Sequence, residues 1–497
     1  METSGKKKIA VIGAGLGGLS AAAALGAEGY QVEVFEKNDK VGGKLNLKEV
    51  DGFSFDLGPS LIILPHLFRR IFERAGHKME EYVEFQELLP HWRSFFEDNT
   101  HIDLHPDMRF MEKELEKLGE EADGYWAFME YSRKLYKFAE ENYLENGADT
   151  LAEILKDTSY MEAFKGTDIF SLMQSGVTRY VKHKNLVDML GFFIKYVGSS
   201  QYRAPALMNL LPYSQMGYGV WYVKGGMYNL ARGIQKLLED LGVKIHLNSE
   251  VTSITKNRKR VDGLVVKGLG PVKADIVVSN MEVIPAYKQL MNETGAMIKA
   301  YDYAYEPAAS GLVVHVGTNR KYPQLKHHNF FFSKDSKKFL DTIHRKKKLP
   351  EDPNIYLVCP TKTNPELAPE GHEIIKILPH IPYIQDPPFT QADYDALKTR
   401  VYDKLERMGL VDLRKHTVIE DVLTPDDLQR MYYSNKGSIY GVISDAKRNF
   451  ALKPPKQSNK YENLYFVGGS VNPGGGTCMV VTSGQKCADL IIRQQGR

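Results

Sequence analysis

Apolar and polar positions divide the chain into strand-like and helix-like stretches. Residues 9–12 and 31–35 are short apolar runs, bridged by a small-residue segment that reads as a helix. Residues 45–55 alternate around Asp51-Gly52, the signature of a hairpin. From about 66 to 224 proline breakers are sparse and helical spacing dominates. Trp126, Met129, Arg133 and Tyr136 recur at three- and four-residue intervals, a stripe that reads as core. Residues 226–241 predict a helix, and 243–247, 251–255, 261–266 and 272–278 predict short strands. Further strands are expected at 310–316, 329–332, 355–359 and 374–378, then a long helix over 391–408. A final strand near 463–467 precedes a helix over 479–492. Strand–helix–strand units at both ends predict an α/β, Rossmann-like fold. In chain order the parts are 1–65, 225–295 and 456–497 of a nucleotide-binding domain, a helical 66–224 and a β-rich 296–455.

The first βαβ unit carries Gly13-x-Gly15-x-x-Gly18. Gly13 permits the tight turn, Gly15 lets the backbone approach a pyrophosphate, and Gly18 lets helix and sheet pack closely. The helix N-terminus offers free N–H groups and the positive end of its dipole to phosphates. Glu36 closes the second strand, where a carboxylate accepts both hydroxyls of an adenosine ribose and disfavours a 2′-phosphate. Gly42-Gly43-Lys44 follows, a pattern similar to that of FAD-containing oxidoreductases, so FAD is the expected cofactor. Late in the chain, Gly468-Gly469-Ser470 ends a strand and Gly474-Gly475-Gly476 starts a helix. Amides there would face the pyrimidine edge of an isoalloxazine and stabilise negative charge on it. Gly58, in the turn Gly58-Pro59, is a further candidate beside the flavin. The cofactor-binding candidates are therefore Gly13, Gly15, Gly18, Glu36, Gly43, Lys44, Gly58, Gly469, Ser470, Gly475 and Gly476. Asn280, just after a strand, sits where a polar group meets the cofactor.

Composition narrows the partners. Among 497 residues, 65 basic and 62 acidic side chains give a net charge of +3, which argues against nucleic acid. Basic clusters at 6–8 and 345–348 suit solvated loops or anionic lipid headgroups. The cysteines Cys359, Cys478 and Cys487 are too few and scattered for a disulfide framework, which makes a reducing cytoplasm the expected compartment. No signal peptide and no run of about 18 apolar residues is read, so any membrane contact is expected from one face. Adjacent His327 and His328 on a strand would point to opposite faces, so no metal site is expected. Residues 186–228 are dense in methionine and aromatics, as a tunnel for a long lipid-like molecule or an interfacial helix requires.

Taken together, Gly13-x-Gly15-x-x-Gly18, Glu36, Gly42-Gly43, Phe55-Asp56-x-Gly58-Pro59 and Val471-Asn472-Pro473-Gly474-Gly475-Gly476 resemble the bacterial carotenoid desaturase and oxygenase flavoproteins along nearly the whole length. The segments 91–96, 193–200, 322–330 and 378–383 are closest to the C30 branch, which oxygenates diapocarotenoids. Two departures stand out. Asn472 occupies a place where desaturases commonly carry histidine, removing a titratable group. Ser470 follows Gly469 where many flavoenzymes place an acid for the ribityl chain, which weighs against an amine oxidase.

The resemblance implies FAD-dependent oxidation of the terminal methyl of a C30 carotenoid to an aldehyde, by a peripheral membrane enzyme in the cytoplasm. The alternative is a desaturase of dehydrosqualene or phytoene type. An amine or protoporphyrinogen oxidase, or a non-enzymatic lipid escort, stands further back. No nucleophilic or acid–base arrangement singles out a catalytic residue, and oligomeric state stays open.

Overall fold

The structure is a computed structural model that describes residues 7–154, 168, 170–449 and 451–496. A five-stranded parallel sheet gathers strands from three distant parts of the chain. In spatial order they are Leu464–Phe466, Ile276–Ser279, Lys8–Ile12, Gln31–Phe35 and Lys244–His246. Ile9 pairs with Ile276 on one side and Val32 on the other, and Ile9, Ala10 and Val11 are fully buried. Burial on both faces explains why these strands read as continuous apolar runs.

Helix α1 (Leu16–Ala27) buries small residues from Leu16 to Leu25. Helix α2 (Ala122–Ala139) turns Tyr125, Phe128, Met129, Leu135 and Tyr136 inward; of the expected stripe, Met129 and Tyr136 are buried while Trp126 and Arg133 are half-buried at its edges. Helix α3 (Leu210–Met216) packs on α2. Helix α4 (Asn229–Asp240) and the C-terminal α5 (Thr477–Gln494) both pack on α1. A Cβ on Gly484 of α5 would overlap the Gly17 carbonyl oxygen and lie 2.8 Å from Ala21 N, so the α1–α5 crossing depends on that glycine.

An eight-stranded mixed sheet forms the second layer. Its order is Thr417–Leu423, Val313–Thr318, Glu373–Ile381, Ile355–Val358, His328–Phe331, Trp92–Phe95 and His101–Leu104, with Ser310–Gly311 beside Glu373–Ile381. Two expectations change here. The stretch 66–224 is not helical throughout: Trp92–Phe95 and His101–Leu104 complete this sheet, Trp92–Phe95 running parallel to His328–Phe331. Trp92 and Ser94 are buried while Arg93 and Phe95 are half-buried, a period of two that is short enough to be lost among helices. The run 272–278 is two strands. Gly270–Lys273 closes a three-stranded antiparallel sheet, and Ile276–Ser279 enters the parallel one. Asp275 separates them, its carboxylate accepting from Lys8 N at 2.8 Å. Among the described residues no helix is long and apolar enough to cross a membrane.

Candidate functional site

One cavity of about 810 Å³ opens between the two layers and is lined by Gly13, Gly15, Glu36, Gly43, Lys44, Gly58, Gly469, Gly475 and Gly476. Segments far apart in sequence therefore converge on one cavity. At the first turn, Gly13 has φ of +88°, and α1 starts at Gly15 with no side-chain cap. The first-turn amides of α1 can find no acceptor within the helix, so they form a donor set for an anion. The Asn280 side chain lies under this turn. Its Oδ1 accepts from Gly18 N at 3.1 Å, and a Cβ on Gly15 would sit 2.5 Å from its Nδ2. Gly18 itself does not line the cavity, and a Cβ there would overlap the Gly13 carbonyl oxygen. It permits the turn from behind.

Glu36 is buried and holds the loop that follows the second strand. Its Oε2 accepts from Ala14 N at 2.8 Å, and its Oε1 accepts from Asn38 N and Nδ2, each at 2.9 Å. Gly42 N donates to Ala14 O at 2.8 Å, and a Cβ on Gly43 would lie 3.0 Å from Gly15 Cα. The second glycine pair is thus laid directly on the first. Lys44 contributes a tie more than a free cation: Nζ donates to Ser438 O at 2.9 Å and Ile439 O at 3.1 Å, with Glu282 at 3.4 Å.

Gly58 packs so closely on Lys44 that a Cβ would overlap the Lys44 carbonyl oxygen. The turn is held by Lys376, a residue that sequence reasoning passed over. Its Nζ donates to Asp56 O and Ser60 Oγ, each at 3.2 Å, and to Gly58 O. The signal was a lone lysine between Ile374-Ile375 and Ile377-Leu378, all buried. Burial pushes its ammonium down to about 8 from an ordinary 10.5, opposed by the charge of Asp56. Between those two values the unfolded chain binds the extra proton, so the contribution of Lys376 to stability rises as pH climbs from 8 to 10.5. Denaturant unfolding across that range should show this rise in the native protein and lose that component in Lys376→Met.

At the other end, Gly476 has φ of +103° and α5 starts there with no side-chain cap. Gly475, Gly476, Thr477 and Cys478 all line the cavity. Two uncapped helix starts therefore open on one cavity, a donor set that fits a phosphate-bearing cofactor with a ring that gains negative charge. Ser470 is placed differently. It is buried outside the cavity lining, and its Oγ accepts from Val283 N at 3.1 Å. Asn472 also points away. Its Oδ1 accepts from Tyr143 OH and Lys453 N, each at 2.8 Å, and Nδ2 donates to Lys453 O at 3.1 Å. Its amide joins three chain segments where an imidazole would have to give up one of these bonds.

Beyond the glycines the cavity becomes apolar, passing Tyr196, Leu211, Leu210, Met208, Leu207 and Leu144. Several of these lie in the aromatic- and methionine-rich 186–228 stretch. Leu151 and Phe170 also line it and are 50% and 78% exposed, which marks its outer end. The paired histidines take other partners: His327 Nδ1 bonds Thr363 Oγ1 at 2.7 Å, and His328 Nδ1 bonds Tyr356 OH at 3.0 Å. Among the described residues no group of His, Cys, Asp and Glu is placed to hold a metal ion.

Comparison with known proteins agrees with this geometry. Residues 16–492 match the family model of flavin containing amine oxidoreductases. Over 497 residues the chain is 50% identical to a 4,4′-diapolycopene oxygenase of a Methylomonas species, covering 99% of each chain. It is 46% identical over 487 residues to a 4,4′-diaponeurosporene oxygenase of Staphylococcus haemolyticus, covering 98% of this chain and 97% of that one. Among solved structures, putrescine oxidase bound to putrescine aligns with a TM-score of 0.62 at 14% identity, covering 98% and 99% of the two chains. An oxidoreductase from Methanosarcina mazei gives the same TM-score and identity, covering 98% and 100%. The two structures show the fold alone. With a family model spanning nearly all of it and half its residues shared with one curated relative, the chain belongs to the flavin containing amine oxidoreductases, in the branch of the diapocarotenoid oxygenases.

Proposed function

We propose that this chain oxidises a terminal methyl group of a C30 carotenoid of the diaponeurosporene type to an aldehyde. FAD is its redox group; when bound it would carry electrons from the substrate to dioxygen, which supplies the aldehyde oxygen and leaves its other atom as water, so that one methyl and one dioxygen give one aldehyde and one water. The observation that carries the reading is the continuity of one cavity, from two uncapped helix starts to an apolar outer end, in a chain 45% to 50% identical to diapocarotenoid oxygenases.

In this reading Gly13, Gly15 and the first amides of α1 hold the diphosphate, with Gly43 and Lys44 beside it. Glu36 takes the adenosine ribose, exchanging loop amides for ribose hydroxyls. Gly58 and Gly469 would help hold the ring, and the amides after Gly475 and Gly476 would stabilise the negative charge it gains on reduction. Gly18 and Ser470 act through packing. The cofactor unit comprises 1–65, 225–295 and 456–497, while 66–224 and 296–455 enclose the substrate. The apolar lining from Tyr196 to Leu207 excludes water and orients the polyene end toward α5. Exposed Leu151 and Phe170 at the outer end support entry from a lipid surface, with the helical part of 66–224 lying peripherally on the cytoplasmic face of the membrane.

Expression in a host that makes the C30 hydrocarbon tests the reaction. Pigments should gain one oxygen and lose two hydrogens at an end, whereas loss of hydrogens alone would assign a desaturase. Flotation with acidic vesicles tests the surface, since a protein that stays wholly at the bottom of the gradient contradicts the membrane placement.

A further inference from the structure

Lys195 is a polar residue of the cavity with no part in the reading above. It lies in the 3-10 helix Phe192–Val197, is 5% exposed, and lines the cavity. Its Nζ stands over the rings of Trp92 at 4.0 Å, Tyr196 at 4.1 Å, Phe330 at 4.3 Å and Phe193 at 5.3 Å. Among the described residues its ammonium has no hydrogen bond and no ion pair, and four aromatic rings surround it. A charged or strongly polar head buried without a partner is costly, and the ring faces offset only part of that.

Among the described residues no carboxylate acts on it. Burial alone pushes the Lys195 ammonium well down. His91 and His380 are pushed to about 4, chiefly by burial, and His328 well below its ordinary value, so all three are neutral at pH 7. The hydroxyls of Tyr196 and Tyr356 are pushed up by burial and stay protonated. Most of these groups satisfy one another. Tyr196 OH donates to Gln215 Oε1 at 2.6 Å, Tyr356 OH meets His328 Nδ1 at 3.0 Å, and Tyr440 OH meets His380 Nε2 at 3.1 Å. The Nε2 atoms of His91 and His328 remain buried without a partner, and the charge of Lys195 is felt at His328. This polar patch stands next to the start of α5: a Cβ on Gly476 would lie 3.9 Å from the Tyr196 carbonyl oxygen. It therefore sits where the reacting end of a long apolar substrate must arrive.

We propose that Lys195 receives the oxygen introduced on the polyene end. Its Nζ donates a hydrogen bond to the terminal hydroxyl or aldehyde oxygen, while Tyr196 and Tyr356, which line the cavity with it, flank the conjugated end. The inference rests on the reaction proposed above, since it takes the end of the substrate to be oxidised. An amine donates whether or not it carries a proton, so the contact does not depend on its charge. Lys195 then distinguishes an oxygenated end from a methyl end and fixes how tightly the partly oxidised molecule stays for further oxidation.

The test is equilibrium binding to the FAD-loaded protein, read by quenching of tryptophan fluorescence, with a C30 polyene carrying one terminal aldehyde and the hydrocarbon of equal length. The wild type should prefer the aldehyde by about tenfold, the scale of one hydrogen bond, and the bound aldehyde should absorb to the red of the same molecule in detergent. Lys195→Met should bring the ratio close to one, and Lys195→Gln, which keeps a donor, should recover part of it. Equal binding of the two polyenes by the wild type, absence of the red shift, or an unchanged ratio in Lys195→Met would each overturn the proposal. If Lys195→Met does not fold, the wild-type ratio and the red shift still decide. Failure of the proposed reaction is read separately, as absence of any oxygenated product from the hydrocarbon with the wild type.

Discussion

Gly475→Val is expected to yield a folded protein without its yellow colour. The glycine precedes Gly476, the cap of the last helix, and a Cβ there would overlap the Tyr440 carbonyl oxygen and lie 2.9 Å from Tyr440 C. Both are main-chain atoms, so no side chain can swing aside. The start of α5 must move away from Tyr440, and with it the amides after Gly475 and Gly476. Displacing preorganised donors in a water-excluded site costs about 100-fold or more. FAD affinity should therefore fall by about 100-fold, read as lost flavin absorbance after gel filtration. Overpacking of this kind lowers stability by about 1–3 kcal/mol, which a domain of this size tolerates. A fully yellow variant with unchanged turnover would remove the late glycine run from the site.

The second large effect separates substrate from cofactor. Leu211, in the first turn of α3, lines the apolar part of the cavity. Leu211→Trp should narrow that passage while leaving both glycine turns untouched. Flavin absorbance is expected to stay, and turnover of a C30 polyene to fall about 100-fold, the scale reached when a reacting end is misplaced by an ångström. Loss of flavin together with activity would instead place the cofactor's ring where the polyene is expected to lie.

Much of the architecture was legible because parallel strands buried on both faces and glycine turns leave strong local marks. Gly13, Gly15 and Gly43 were each legible as cofactor glycines, but only the structure lays Gly43 on Gly15, where a Cβ on Gly43 would lie 3.0 Å from Gly15 Cα. The mixed sheet was harder. Trp92–Phe95 is four residues long, and its partner His328–Phe331 is far away in the chain, so no local pattern announces the pairing. Ser470 and Asn472 carry side chains whose direction depends on Val283, Tyr143 and Lys453, which only the fold brings near. Lys195 and Lys376 illustrate the same limit. A lysine in sequence reads as solvated, and only the packed rings around one and the carbonyls around the other reveal buried roles. Residues 155–167, within the 66–224 stretch expected to be helical, lie outside the described residues.

The central claim is that the cavity joining the glycine turns to the apolar end carries out oxygenation. Accurate mass of the product formed by the purified, FAD-loaded protein from 4,4′-diaponeurosporene in lipid vesicles tests it most directly. The account predicts a terminal aldehyde, heavier by one oxygen and lighter by two hydrogens, and a product that has only lost hydrogens would contradict it.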